Sequence, residues 1–176
     1  MKIAFGYKMS SGKDTCVDYI IQKYGGHKVS FSKYLYDILH YAQKVCGFDI
    51  EKDRKFLQWV GTEWAREKDP DVWVRLTIQE SEQIEKDKKN EKKNIYCSDV
   101  RFLNEFEALK KNGWIMIKIN RPENKSDVRI GTGSSLHISE NILDKVNDKE
   151  WDYIIENNGT KENLFQNLEN IIKNIK

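Results

Sequence analysis

A short apolar run that breaks into a small-residue loop ending in Gly-Lys, and then into an amphipathic run, constrains this chain more than anything else in it. Lys2-Ile3-Ala4-Phe5-Gly6 comes first, Tyr7-Lys8-Met9-Ser10-Ser11-Gly12-Lys13-Asp14-Thr15 follows, and Cys16-Val17-Asp18-Tyr19-Ile20-Ile21 continues. The order is strand, loop, helix, the context in which a P-loop grips phosphate. Loop N–H groups converge on the anion, the helix N-terminus adds its partial positive charge, and Lys13 reaches the terminal phosphates. Two positions depart from the usual spacing. The first glycine of the pattern would fall at Tyr7, whereas the glycine is Gly6. Asp14 stands where a metal-binding Ser or Thr is common, with the hydroxyl one place later at Thr15.

The 176 residues suit one domain, 1–176, long enough to bury roughly 70% of its unfolded surface. With 30 basic and 28 acidic residues the net charge is +2, so no global field argues for a nucleic-acid or membrane partner. Cys16, Cys46 and Cys97 are widely spaced in apolar contexts, and the expectation is three buried free thiols in a reducing compartment. The chain enters a strand at once, leaving no room for a signal peptide, and no apolar run approaches membrane-spanning length. A soluble, cytoplasmic protein is expected.

Helical and strand periods alternate, which argues an α/β domain around a mostly parallel sheet. Strands are expected at Lys2–Gly6, His27–Phe31, Ile95–Asp99, Trp114–Ile119 and Asp152–Asn157. Helices are expected from the loop to about Tyr24, from Leu35 to Cys46, around Phe56–Val60, from about Asp71, around Phe106–Leu109, and from Leu164 to Ile175. Glu80–Asn94 reads as a solvated helix end and surface loop. Residues 120–147 lose periodicity and gain Gly, Ser, His and Arg, as a lid or binding loop does.

Phosphoryl transfer needs a phosphate cradle, a metal-binding carboxylate and cations for two sets of phosphates. Ligands of open parallel sheets bind beyond the carboxyl ends of the strands, and Asp99 ends one of them, so it suits the metal side; capping the next helix is the other reading. Arg101 has a planar fork that grips oxyanions. Glu105 either orients Arg101 or is a favourable acid in a first helical turn. Arg66 stands where a helix yields to Asp69-Pro70, beside Trp59, Trp64 and Trp73. Those aromatics either stack a base or fill the core, and Trp59 is assigned to the core. Arg121 and Arg129 on the lid either reach a transferring phosphoryl group while closure excludes water or are solvated surface charges. Gly131 and Thr132 can supply backbone donors, and His137 either touches substrate or makes a structural hydrogen bond.

Together these blocks resemble the deoxynucleoside monophosphate kinases of tailed bacteriophages. The matching pieces are Ser11-Gly12-Lys13-Asp14-Thr15, Leu57-Gln58 with Gly61-Thr62-Glu63-Trp64 and Arg66, and Asp69-Pro70-Asp71 with Trp73-Val74. Ser98-Asp99-Val100-Arg101-Phe102 with Asn104-Glu105, Arg121-Pro122, His137 with Ser139-Glu140, and Asp152–Asn157 complete the set. The resemblance implies a P-loop fold of the nucleoside monophosphate kinase type, usually dimeric. It implies transfer of the γ-phosphate of ATP, with Mg²⁺, to a deoxynucleoside 5′-monophosphate that feeds viral DNA synthesis. On the matching positions, Lys8, Ser11, Gly12, Lys13, Asp14, Thr15 and Arg121 are expected on ATP, and Asp14 and Asp99 on the metal. Lys33, Trp64, Arg66, Trp73, Asp99, Arg101, Gly131, Thr132 and His137 are expected on the acceptor. Lys13, Arg66, Arg101 and Arg129 are expected to carry catalysis. Tyr7, and Leu103 where relatives often have proline, depart from the family pattern. A kinase of the same fold for dephospho-coenzyme A or phosphomevalonate, and a nucleotide-binding module without turnover, are the alternatives.

Overall fold

The computed structural model describes residues 1–87, 89, 93–122 and 142–175. Five parallel strands form one sheet in the order β2-β3-β1-β4-β5: β1 Lys2–Gly6, β2 His27–Val29, β3 Ile95–Val100, β4 Ile115–Asn120 and β5 Tyr153–Glu156. Parallel neighbours need crossovers, and helices supply them. These are α1 Lys13–Tyr24, α2 Lys33–Cys46, α3 Arg54–Gln58, α4 Ala65–Lys68, α5 Val72–Lys86, α6 Leu103–Lys111 and α7 Lys161–Ile175. A π-helical turn, Trp59–Trp64, joins α3 to α4.

Strand alternation divides the core into two layers. Ile3, Phe5, Ile117 and Ile155 face α1 and α7, where Val17, Ile20, Leu164 and Leu168 close the layer. Ala4, Val29, Cys97 and Met116 face the other way, against Val74, Phe106 and Leu109. Both faces of the sheet are covered, which is why its strands read as continuous apolar runs.

Gly6 has a packing reason of its own. A Cβ built there would stand 2.6 Å from Cη2 of Trp151, a buried ring packed edge-on against Phe106 at 4.7 Å. Gly6 is therefore the residue that lets Trp151 lie on the sheet, not the first glycine of the phosphate loop. Gly6→Ala is expected to lower stability by about 1–3 kcal/mol, the usual cost of overpacking. The urea midpoint measures it, and an unchanged midpoint would mean that the ring relaxes at no cost.

Three expectations change. Cys16 and Cys97 are buried, but Cys46 is exposed, because α2 carries more apolar positions than its inward stripe can bury. Trp59 is 50% exposed, not core, since the π-turn rotates it outward to lie edge-on to Phe56. The end of the expected lid packs on the core: Ile142–Lys145 forms a 3₁₀ turn, and Leu143 within it and Val146 after it are buried. The central part of that segment, with Arg129, Gly131, Thr132 and His137, lies outside the described residues.

Candidate active site

β1 delivers the chain into the loop at the carboxyl edge of the sheet. Tyr7 has φ 100°, Ser10 φ 59° and Gly12 φ 105°. Tyr7 occupies the place of the pattern's first glycine and adopts the backbone that glycine would. A non-glycine residue there stores strain of about 1–3 kcal/mol, held by a tyrosine ring that packs on the core and carries the Lys118 ammonium 4.1 Å from its centroid. Gly12 precedes α1 and leaves the helix start without a side-chain cap, so the first-turn N–H groups face the loop, as an anion site requires. Asn157, at the end of β5, pins the loop by donating from Nδ2 to the Ser11 carbonyl at 2.9 Å.

Lys13 is 5% exposed. Its ammonium donates to the Tyr7 carbonyl at 3.1 Å, to Ser11 Oγ at 3.2 Å and to the Lys8 carbonyl. It is held inside the curl of the loop, where a bound phosphate chain would lie. Arg121, just past β4, donates to the Ser10 carbonyl at 3.4 Å, and Lys8 lies 3.7 Å from Asp144. The residues expected on ATP thus gather on one edge, with Thr15 in the first turn of α1.

The two carboxylates expected on a metal part company. Asp14 accepts from Ser98 Oγ at 2.6 Å and from Lys28 Nζ at 2.9 Å. Burial works to raise its carboxyl, but Lys28 and Ser98 outweigh that and hold it below the usual carboxylate range. Asp99 faces away, because residues 98 and 99 alternate across the strand. Its oxygens accept from Ser30 Oγ at 2.6 Å, from the N–H groups of Phe31 and Ser32 at 3.2 and 2.9 Å, and from the Cys97 thiol at 3.3 Å. Mg²⁺ favours one or two carboxylates together with phosphate and water oxygens. Asp14, side by side with Lys13 and with its side chain 74% exposed, fits that donor set. Asp99, engaged by four protein donors, does not; it fixes the turn between β2 and α2 instead. Among the described residues no three acidic, His or Cys side chains gather as a metal cluster.

Asp99 does line a cavity of about 260 Å³ that runs from Met9 of the loop to α2, α3 and the π-turn. Arg66, Arg101, Phe102 and Glu105 line it too. Arg66 Nη2 bonds Glu105 Oε1 at 2.5 Å, Nη1 donates to the Pro70 carbonyl at 3.2 Å, and the guanidinium lies 3.9 Å above the Phe102 ring. Its Nε is buried without a hydrogen bond to any described residue. Glu105 also accepts from the N–H groups of Arg101 and Phe102 at 2.8 and 3.0 Å. It therefore caps α6 and orients Arg66, whereas the sequence offered Arg101 as its partner. Burial pushes the Glu105 carboxyl up to about 7, against the pull of Arg66 and the two N–H groups.

That shift has a sign. A carboxyl with a folded pKa near 7 and an unfolded pKa near 4.5 holds its proton more tightly in the folded state. The stability it confers is fully present below pH 4.5 and is lost as pH rises through 7, on the order of 3 kcal/mol in all. Glu105→Gln should flatten the decline in urea midpoint between pH 5 and pH 7.5. A variant declining as steeply as the parent would contradict the shift.

Three acceptor candidates lie outside the cavity. Trp73 is core, its indole N–H donating to the Gly61 carbonyl at 3.0 Å. Trp64 is 45% exposed, with Lys68 over its ring. Lys33 pairs with Glu80 on the surface. The sequence placed Trp73 and Trp64 near Arg66 but could not say that a π-turn would leave Trp64 exposed or that α5 would bury Trp73. Lys52, Arg54 and Tyr36 line the cavity unanticipated, and no motif marked them. Lys28, on Asp14, carried no signal either.

Solved structures similar to this one include dephospho-CoA kinase from Campylobacter jejuni, with TM-score 0.56, 21% identity, and 99% of this chain and 98% of that chain covered. Shikimate kinase from Aquifex aeolicus has TM-score 0.59 and 15% identity, covering 99% and 97%. At such identities they establish the fold, a P-loop kinase fold, and nothing of the acceptor. Among viral proteins, Uncharacterized protein ORF77 of Ictalurid herpesvirus 1 (strain Auburn) is 40% identical over 151 residues. That match takes in 83% of this chain but only 60% of that protein's length. The "Putative deoxynucleotide monophosphate kinase" of Acanthamoeba polyphaga mimivirus is 28% identical over 195 residues, covering 93% of this chain and 92% of that protein. The family model for deoxynucleotide monophosphate kinase matches residues 51–168, a span that contains Arg66, Asp99, Arg101, Glu105 and most of the cavity wall. On that match, over more than half its length, the chain belongs to the deoxynucleotide monophosphate kinase family.

Proposed function

We propose that the chain transfers the γ-phosphate of ATP to a deoxynucleoside 5′-monophosphate, releasing ADP and a deoxynucleoside diphosphate for viral DNA synthesis. The observation that carries this reading is the cavity running from Met9 of the phosphate loop to Arg66 and Arg101, which has room for an acceptor next to the loop that would hold the donor's phosphates. An oxygen of the acceptor phosphate is itself the nucleophile, so no strong base is needed. The work is in-line positioning and neutralisation of charge. Lys13 holds the donor's phosphates against the first turn of α1, with Ser11, Gly12 and Thr15 around them, and Arg121 and Lys8 close the rim. Arg66 and Arg101 hold the acceptor phosphate, and Arg129 serves the transferring group. Bound Mg²⁺, held through Asp14, would spread the developing charge of the β- and γ-phosphates.

The reading also takes 1–176 as one domain whose residues 120–147 include a lid, with Gly131, Thr132 and His137 on the acceptor. It has the protein act in the host cytoplasm as a homodimer. No described helix is long and apolar enough to cross a membrane. Ile38, Tyr41 and Val45 leave an exposed apolar stripe along α2, the face offered to a second copy, and light scattering giving a monomer mass would remove the dimer. The functional test is ADP release with ATP and Mg²⁺ against each deoxy- and ribonucleoside monophosphate in turn. Turnover with a deoxynucleotide supports the reading. Turnover only with dephospho-coenzyme A or phosphomevalonate, or ATP binding with no transfer, replaces it.

A further inference from the structure

The cavity wall holds two kinds of polar side chain. Asp99, Arg66 and Glu105 are engaged by other protein groups, as described above. Gln58 and Thr62 are half-buried in the same wall, and neither side chain makes a hydrogen bond to any described residue. Gln58 is the wall's one side-chain amide, and nearby it is apolar: Leu57 is buried, and Leu35 closes on Gly61, where a Cβ would stand 2.9 Å from Leu35 Cδ1.

The π-turn explains the placement. Following the end of α3, which carries Leu57 and Gln58, it keeps Gly61 and Thr62 on the same wall while Trp59, Glu63 and Trp64 are exposed. The buried Trp73 indole, bonded to the Gly61 carbonyl, locks the turn. π-Bulges are costly and concentrate at functional sites. A half-buried amide with unspent donors and acceptor, beside an apolar slot, suits a flat heterocycle with a polar edge.

We infer that Gln58 reads the base of the acceptor nucleotide, its amide pairing with a donor–acceptor edge of the ring while Leu35 and Leu57 cover the ring's faces and Thr62 supplies a second contact. The inference rests on the proposed function. An amide offers one acceptor and two donors, whereas a carboxylate only accepts. Guanine presents two adjacent donors, N1–H and the N2 amino group, so Gln58→Glu favours it and penalises thymine, which presents N3–H between two carbonyl oxygens.

The test is steady-state kinetics of wild type, Gln58→Leu and Gln58→Glu with each deoxynucleoside monophosphate. Gln58→Leu is expected to raise acceptor KM by about tenfold or more, the usual penalty for losing a base contact, with the KM for ATP unchanged. Gln58→Glu is expected to shift the dGMP-to-dTMP ratio of kcat/KM by about tenfold or more toward dGMP. Unchanged acceptor KM and unchanged ranking in both variants, with wild type active, would overturn the role of Gln58 alone. Wild type inactive on every deoxynucleotide would overturn the proposed function itself. Far-ultraviolet circular dichroism separates a folding defect from either result, since Gln58 lies outside the core.

Discussion

Lys13→Ala is expected to lose turnover by about 10²–10³-fold or more, the scale for removing one preorganised charge from a transition state, while the protein remains folded. The reason lies in where the ammonium sits. It is almost wholly buried in the loop, held by the carbonyls of Tyr7 and Lys8 and by Ser11 Oγ, so its charge is already aimed at the cradle before a nucleotide arrives. None of those three partners belongs to the sheet core. Single-turnover transfer measures the loss, and circular dichroism checks the fold. Near-normal rates would remove Lys13 from the chemistry.

Arg66→Ala is the second large effect, and it has two parts. Loss of a charge-assisted hydrogen bond worth about 1.5–3 kcal/mol corresponds to a roughly 10–100-fold rise in acceptor KM, with the KM for ATP much less affected. Stability falls as well, because Glu105 is left 2% exposed without its cation and must take up a proton. Glu105→Gln separates the two parts: Arg66 keeps its charge and its place over Phe102 but loses its partner, so the kinetic defect should be smaller than that of Arg66→Ala. Equal effects of Arg66→Ala on both substrates would move Arg66 out of the acceptor site.

Much of this architecture was legible because its signals are local. The strand–loop–helix order, the glycine pair after α1 and the continuous apolar runs of buried parallel strands each follow from one segment's own chemistry. The site was legible where a strand end names it: Asp99 and Arg101 must project from the carboxyl edge of the sheet. Direction was harder. Asp14 and Asp99 both looked ready for a metal, and only the parity of β3 decides that Ser98 meets Asp14 while Asp99 meets the Ser30–Ser32 turn. The π-turn defeated helical spacing, sending Trp59 and Trp64 outward, while α5 buries Trp73. Glu105 lay between two readings because its partner, Arg66, is remote in sequence. Tyr7 looked like a damaged motif. The structure has it in the backbone conformation of the glycine it replaces, so the loop keeps its shape at the cost of local strain.

The most direct test of the central claim follows the phosphoryl group itself. With γ-labelled ATP, Mg²⁺ and a mixture of deoxynucleoside monophosphates, the account predicts label in a deoxynucleoside diphosphate, accumulating at least about 10²-fold more slowly with Lys13→Ala. Label appearing only as inorganic phosphate, or remaining in ATP with nucleotide bound, would contradict it.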